Sequence, residues 1–242
     1  MPRRRVAFEA TRAEVRPRPA DPALAALLVP HGEAFEGFRR LRTRVRALGE
    51  ERPLRCLGVV GPTAYEGATA VTLGLAAALA QEAERRVLVV EATLRAPSLE
   101  RSLGLPAAPG LGAWLRADGD GLVALRRLEP WGFDVLAAGE PIAAPGELLG
   151  GERMADLLAS LRESFDHVLV DCPPLETTAD TLTLQDGLDG LLVVVRARHA
   201  SRDAIRRATA HLRADRVCGV VFNDHTEKLS RWIDRRRARA RG

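Results

Sequence analysis

Two periodicities alternate along this chain. Short, nearly all-apolar runs recur at Cys56–Val60, Arg86–Val90, Phe133–Ala137, His167–Asp171, Leu188–Arg196 and Val217–Asn223. Runs of that length with no polar alternation predict strands buried on both faces, as in a parallel sheet. Between them lie stretches with helical spacing: Glu33–Leu48, Thr69–Glu84, Ser98–Leu103, Gly112–Arg116, Gly151–Ser164, and a segment capped by Ser201 running to about Ala214. In the first of these, Phe35, Phe38, Leu41 and Val45 fall on one helical face. Strand and helix alternate throughout and no internal repeat is present. The expected fold is therefore a single α/β domain with a doubly wound, mostly parallel sheet.

The expected boundaries are a Pro/Arg-rich extended or disordered arm at residues 1–31, a domain at 32–226, and a basic tail at 227–242. With 242 residues the chain is long enough to bury a full core. Between Arg231 and Arg241 stand six arginines and one aspartate, so the tail alone outweighs the formal net charge of +4 and leaves the rest near neutral. Such a tail is read first as a solvated end. Its Trp232-Ile233 step beside an arginine cluster also suits an anionic membrane surface or an acidic partner. No base-reading element accompanies it, so no specific nucleic acid is expected. No apolar run approaches the ~18 residues of a membrane helix, and Met1–Arg5 lacks the apolar block of a signal peptide; a cytoplasmic protein is expected. Cys56, Cys172 and Cys218 are far apart and read as buried thiols rather than metal ligands.

Candidate chemistry gathers at the C-terminal ends of strands. The run ending at Val60 enters a loop, Gly61 to Gly67, that leads into a helix beginning near Thr69. Strand–loop–helix is the setting of a phosphate-binding loop, in which backbone N–H groups and a helix N-terminus hold an anion. A working loop ends Gly-Lys-Ser/Thr; here Gly67 is followed by Ala68 and Thr69, so the hydroxyl is present and the lysine absent. Lys228 is the only lysine in the chain. Glu91 and Thr93 follow one strand, and Asp171 ends another. A phosphate loop with a strand-terminal acid is the arrangement that binds a magnesium nucleotide. Each residue also has a plainer role: Thr69 as a helix N-cap, Asp171 as a loop cap, Asn223 as a strand-end cap.

In this order the residues resemble the cytoplasmic domain of the bacterial tyrosine kinases (BY-kinases), capsule and exopolysaccharide regulators related to the MinD/ParA P-loop ATPases. The resemblance spans about Glu36 to Asp224. Glu36, Arg39 and Arg42 match a Glu-x-x-Arg-x-x-Arg motif that serves ring assembly in that family. Ala64 to Thr69 align with its first Walker box, Glu91 to Pro97 with the second, Asp-x-Asp-x-Arg-x-Pro, and Asp171 to Pro174 with an intact third, Asp-x-Pro-Pro. Pro145 to Leu149 resemble the family's Pro-x-Glu-Leu-Leu, and Gly219 to Asn223 the strand whose Asn contacts adenine. The resemblance implies a P-loop fold, ATP or ADP with Mg²⁺ as cofactor where the site is retained, nucleotide contacts at Gly67, Thr69 and Asn223, and metal contacts at Thr69, Glu91 and Asp171. It also implies a homo-oligomer built through Glu36, Arg39 and Arg42, and a membrane polysaccharide co-polymerase or adaptor as partner.

The departures concentrate at the chemistry. Ala68 replaces the lysine, Tyr65 and Ala64 replace Gly and Pro, and Glu91 and Thr93 replace two aspartates. The family's C-terminal tyrosine cluster is absent, and Tyr65, the sole tyrosine, lies in the loop, where it suggests a reshaped or filled pocket. Losing a charge-assisted donor to a phosphate costs roughly 1.5–3 kcal/mol in binding. Losing a preorganised transition-state donor costs about 10²–10³ in rate. The chain is thus expected to be a non-catalytic, pseudokinase-like subunit or regulator of polysaccharide export, cytoplasmic and peripheral at the inner membrane. The alternatives are an active kinase or ATPase in which an arginine such as Arg95 replaces the lysine, and a ParA/MinD-type positioning protein.

Overall fold

In the computed structural model, residues 13–30, 32–116 and 124–224 are described. The basic tail, 227–242, lies outside them. The strands are β1 (Ala13–Val15), β2 (Cys56–Val60), β3 (Val87–Glu91), β4 (Arg126–Leu128), β5 (Phe133–Leu136), β6 (His167–Asp171), β7 (Gly190–Arg196) and β8 (Val217–Asn223). The helices are α1 (Pro22–Leu27), α2 (Glu33–Glu51), α3 (Ala68–Ala80), α4 (Leu99–Leu103), α5 (Leu111–Arg116), α6 (Gly146–Gly150), α7 (Glu152–Ser164), α8 (Asp180–Leu184) and α9 (Arg202–Thr209).

The strands form one sheet in the order β1-β4-β5-β3-β6-β2-β7-β8. All neighbouring pairs are parallel except β4–β5, so β1 and β4 run against the other six. The doubly wound, mostly parallel sheet read from the apolar runs is what forms. Every residue of β2 and β3 is buried, because helices cover both faces. On one face Met154, Leu157 and Leu161 of α7 and Trp114 of α5 pack against Leu88, Val90, Val168 and Val170. On the other, Leu73, Leu75 and Leu79 of α3 meet Val87, Val89 and Leu169.

α3 is apolar on every side because α2 lies over its outer surface. α2 carries the predicted stripe: Phe35 and Val45 are buried and Phe38 and Leu41 half-buried. The contact is close at Gly74, where a Cβ would stand 2.3 Å from the tip of the Phe38 ring.

The structure departs from the sequence reading at the N-terminal side. Residues 13–30 are not a free arm: β1 pairs with β4, α1 packs by Leu24, and Arg18 N–H donates to Leu103 O at 2.8 Å. β1 and β4 are three residues each and rich in charge, too short to show a period. α6 and α8 are single-turn elements with the same property. α3 ends at Ala80 rather than Glu84, which adopts a left-handed φ of 64°. α9 begins where expected, with Ser201 Oγ accepting from Ala204 N–H at 3.1 Å, but stops at Thr209.

Gly74→Ala sets helix propensity, worth about 1 kcal/mol in favour of Ala, against overpacking at Phe38, which costs about 1–3 kcal/mol. The overlap is deep enough that a net loss of stability is expected in urea or thermal denaturation. An unchanged or raised midpoint would show that α2 is not seated on Gly74.

Candidate phosphate-binding site

The three central strands β3, β6 and β2 are neighbours, and register places Val59 and Glu91 on either side of Asp171. The 61–67 loop, Glu91 and Asp171 therefore share one edge of the sheet, as their positions at strand ends predict. The loop is fixed from several directions. Gly61 O accepts from Leu175 N–H at 3.1 Å and Pro62 O from Glu176 N–H at 3.0 Å. The carboxylate of Glu66 is buried, accepting from Thr63 Oγ1 at 2.7 Å and from Arg196 N–H at 2.6 Å. A ring nitrogen of His199 lies 2.8 Å from Ala64 O.

Two loop residues take left-handed backbone, Tyr65 at φ 63° and Gly67 at φ 87°. Tyr65 is 84% exposed, so its ring points into solvent and does not fill a pocket, contrary to the sequence reading. Gly67 precedes α3, and no side chain caps that helix. The first-turn N–H groups of a helix have no partner within it, so here they face outward as anion donors. The hydroxyl of Thr69 does not cap the helix; it donates to Asp171 Oδ2 at 2.8 Å.

Asp171 is buried. Burial pushes its carboxyl up to about 7, with the neighbouring Glu91 carboxylate acting in the same direction and the Thr69 and Thr72 hydroxyls opposing. Glu91 has no exposed surface and a carboxyl also raised by burial. Its Oε1 accepts from Ser98 N–H at 2.6 Å and Leu99 N–H at 2.9 Å, and its Oε2 from Ala138 N–H at 3.0 Å. The implied metal role at Glu91 is thus replaced by a structural one: the side chain caps the start of α4 and ties β3 to the segment after β5.

The remaining predicted residues divide. Asn223 reaches the loop, but both ends of its amide are engaged: Nδ2 donates to Glu66 O at 2.9 Å, and Oδ1 accepts from Asp224 N–H at 2.9 Å. Arg95 is not an idle cation; Nε and Nη2 hold Asp180 at 2.8 and 3.2 Å, and Nη1 donates to Ala143 O. Glu36, Arg39 and Arg42 lie on α2. Glu36 pairs with Arg39 at 3.6 Å and with Arg40 at 3.7 Å and is half exposed. Arg42 turns inward, donating to Ala78 O at 2.8 Å and lying 3.6 Å from Glu82, so it braces α2 on α3. Sequence reasoning missed Glu66, Arg196, His199 and Asp180. The rule that ligand sites gather at strand C-termini points to Arg196–His199 after β7; nothing in the pattern marks Glu66 or Asp180.

The residues present fit a phosphate better than a metal. Among the described residues no cluster of three or more His, Cys, Asp or Glu side chains is placed to hold a metal ion. Thr69 and Asp171 are the donors left at the loop, which is enough for Mg²⁺ when phosphate and water oxygens complete its shell.

A parallel sheet with this loop at its centre defines the class: a P-loop nucleotide-binding fold, shared as a fold alone with ParA-family and MinD ATPases. No family model matches the chain. EpsB of Ralstonia nicotianae, provisionally named a tyrosine-protein kinase, is 32% identical over 202 residues, 83% of this chain and 27% of EpsB. The tyrosine-protein kinase YwqD of Bacillus subtilis is 25% identical over 208 residues, 85% of this chain and 86% of YwqD. The solved kinase domain of BceF superposes with a TM-score of 0.71 at 29% identity, covering 82% of this chain and 81% of that domain. The chain belongs with the bacterial tyrosine kinases, as a homologue of their kinase domains, and it spans about a quarter of the length of relatives such as EpsB.

The raised Asp171 carboxyl fixes a pH dependence. Its folded value lies above the ordinary aspartate value of about 3.9, so between about pH 4 and 7 the folded state binds more proton than the unfolded one. This group's contribution to stability is fully present at low pH and declines as pH rises through that window. Asp171→Asn removes the dependence. Denaturant midpoints of the variant relative to the parent are expected to rise steadily from pH 4 to 7; a constant difference would show that Asp171 ionises normally.

Proposed function

We propose that this chain is a kinase-fold subunit that keeps the phosphate-binding scaffold and does not transfer phosphoryl groups: a non-catalytic regulator or subunit of exopolysaccharide or capsule biosynthesis and export. The observation that carries this reading is Ala68 at the start of α3, where the motif that this loop resembles has its lysine. Phosphoryl transfer depends almost wholly on positioning and charge stabilisation. Arg95 does not supply the charge, being held by Asp180. Glu91 is held by three backbone N–H groups.

Binding is a separate matter. The uncapped N-terminus of α3 would cradle a phosphate, with Thr69 and Asp171 beside a Mg²⁺ ion that would neutralise phosphate charge. The same fold occurs in a Pyrococcus horikoshii MinD complexed with Mg-ADP, which supports a weakly held ATP or ADP here. The resemblance to the bacterial tyrosine kinases implies that pathway and a membrane co-polymerase as partner on the cytoplasmic side. Homo-oligomer contacts would use the exposed Glu36 and the Arg39 and Arg40 beside it, with Arg42 fixing the helix that presents them.

Incubated with labelled ATP and Mg²⁺, the purified chain is expected to incorporate no phosphate into protein tyrosine. Ala68→Lys is expected to tighten ATP binding by about 10- to 100-fold in calorimetry, the value of one charge-assisted phosphate contact. Incorporation by the parent chain that disappears in Asp171→Ala would overturn the non-catalytic reading.

A further inference from the structure

The segment after β7 touches the phosphate loop at two points on either side of one arginine. Arg196 N–H donates to the Glu66 carboxylate at 2.6 Å, and the His199 ring lies 2.8 Å from Ala64 O. Arg198, between them, is therefore fixed at the loop's rim. It takes a left-handed φ of 61°, a conformation disfavoured for side chains with a Cβ. Its side chain is exposed and, among the described residues, forms no hydrogen bond or ion pair. The neighbouring cations differ: Arg196 pairs with Asp224 at 2.9 Å, and Arg95 with Asp180 at 2.8 Å. Asn223, on the same rim, has both amide atoms engaged within the protein, with its Nδ2 packed where a Cβ on Gly67 would stand 2.2 Å away. The rim thus offers a free planar cation.

We propose that Arg198 supplies, from the β7 side of the loop, the positive charge for a polyphosphate seated on the N-terminus of α3. This rests on the reading that the scaffold still binds phosphate. A guanidinium suits this task because it offers paired donors to phosphate oxygens and stays charged at every physiological pH. Reaching the ligand from the rim, it contributes to ground-state binding and does not restore the cation that position 68 would aim at the transferred group.

The test is calorimetry on the full chain with Mg-ATP, Mg-GTP and magnesium tripolyphosphate. Arg198→Ala is expected to weaken all three ligands by about tenfold or more, with Arg198→Lys recovering part of the loss. Arg202→Ala, at an exposed arginine with no tie to the loop, should bind as the parent does. Unchanged ATP affinity in Arg198→Ala, or a loss seen with ATP and absent with tripolyphosphate, would each overturn the inference alone, and no binding of any of the three would overturn it together with the retained-scaffold reading on which it rests. Those outcomes leave the non-catalytic reading standing, since that reading falls only to phosphoryl transfer by the parent chain.

Discussion

Two carboxylates at the ends of adjacent strands, directly across from each other in register, set the terms for this site. Glu91 and Asp171 are both buried and face each other across β3 and β6. Two negative charges at that separation in a low-dielectric interior repel strongly, and each also loses its hydration. The chain resolves this asymmetrically. Glu91 receives three backbone N–H groups, which is a structural arrangement: it gives α4 an anionic cap and joins the end of β3 to Ala138. Asp171 receives a threonine hydroxyl and is pushed up to about 7. An aspartate in place of Glu91, one methylene shorter, would not span to both Ser98 and Ala138 from the same backbone position.

The loop shows the same logic. Glu66, Asn223 and His199 bind it to the ends of β7 and β8, so its shape is held by the protein without a ligand. A preorganised nest loses little conformational freedom on binding an anion, which offsets part of the missing lysine's contribution.

The central architecture was legible because β2, β3, β6 and β7 are apolar without alternation, and α2 and α7 carry clear helical stripes. The edge was not. β4 is Arg126-Arg127-Leu128, and its burial depends on Glu100 pairing with Arg126 at 2.6 Å, a contact 26 residues away that no local period announces. At the site, residue positions were legible and their partners were not. Sequence placed Thr69, Glu91, Asp171 and Asn223 near one another. It could not show that Glu91 turns toward Ala138, that Asn223 closes on Glu66, or that Arg42 enters the Ala78 carbonyl. Those choices are made by tertiary contacts of 36 to 157 residues' separation.

A degenerate motif should accordingly be read one residue at a time, by asking which of its groups the fold itself needs. Thr69 and Asp171 satisfy one another in the interior; replacing either with an apolar residue leaves a buried polar atom unpaired at a cost of about 1–3 kcal/mol. Gly67 is needed because its φ is 87° and Asn223 occupies the space beside it. The motif lysine has no such duty. Its charge faces the ligand, and no buried group in the fold waits for it, so alanine can stand there without cost to stability.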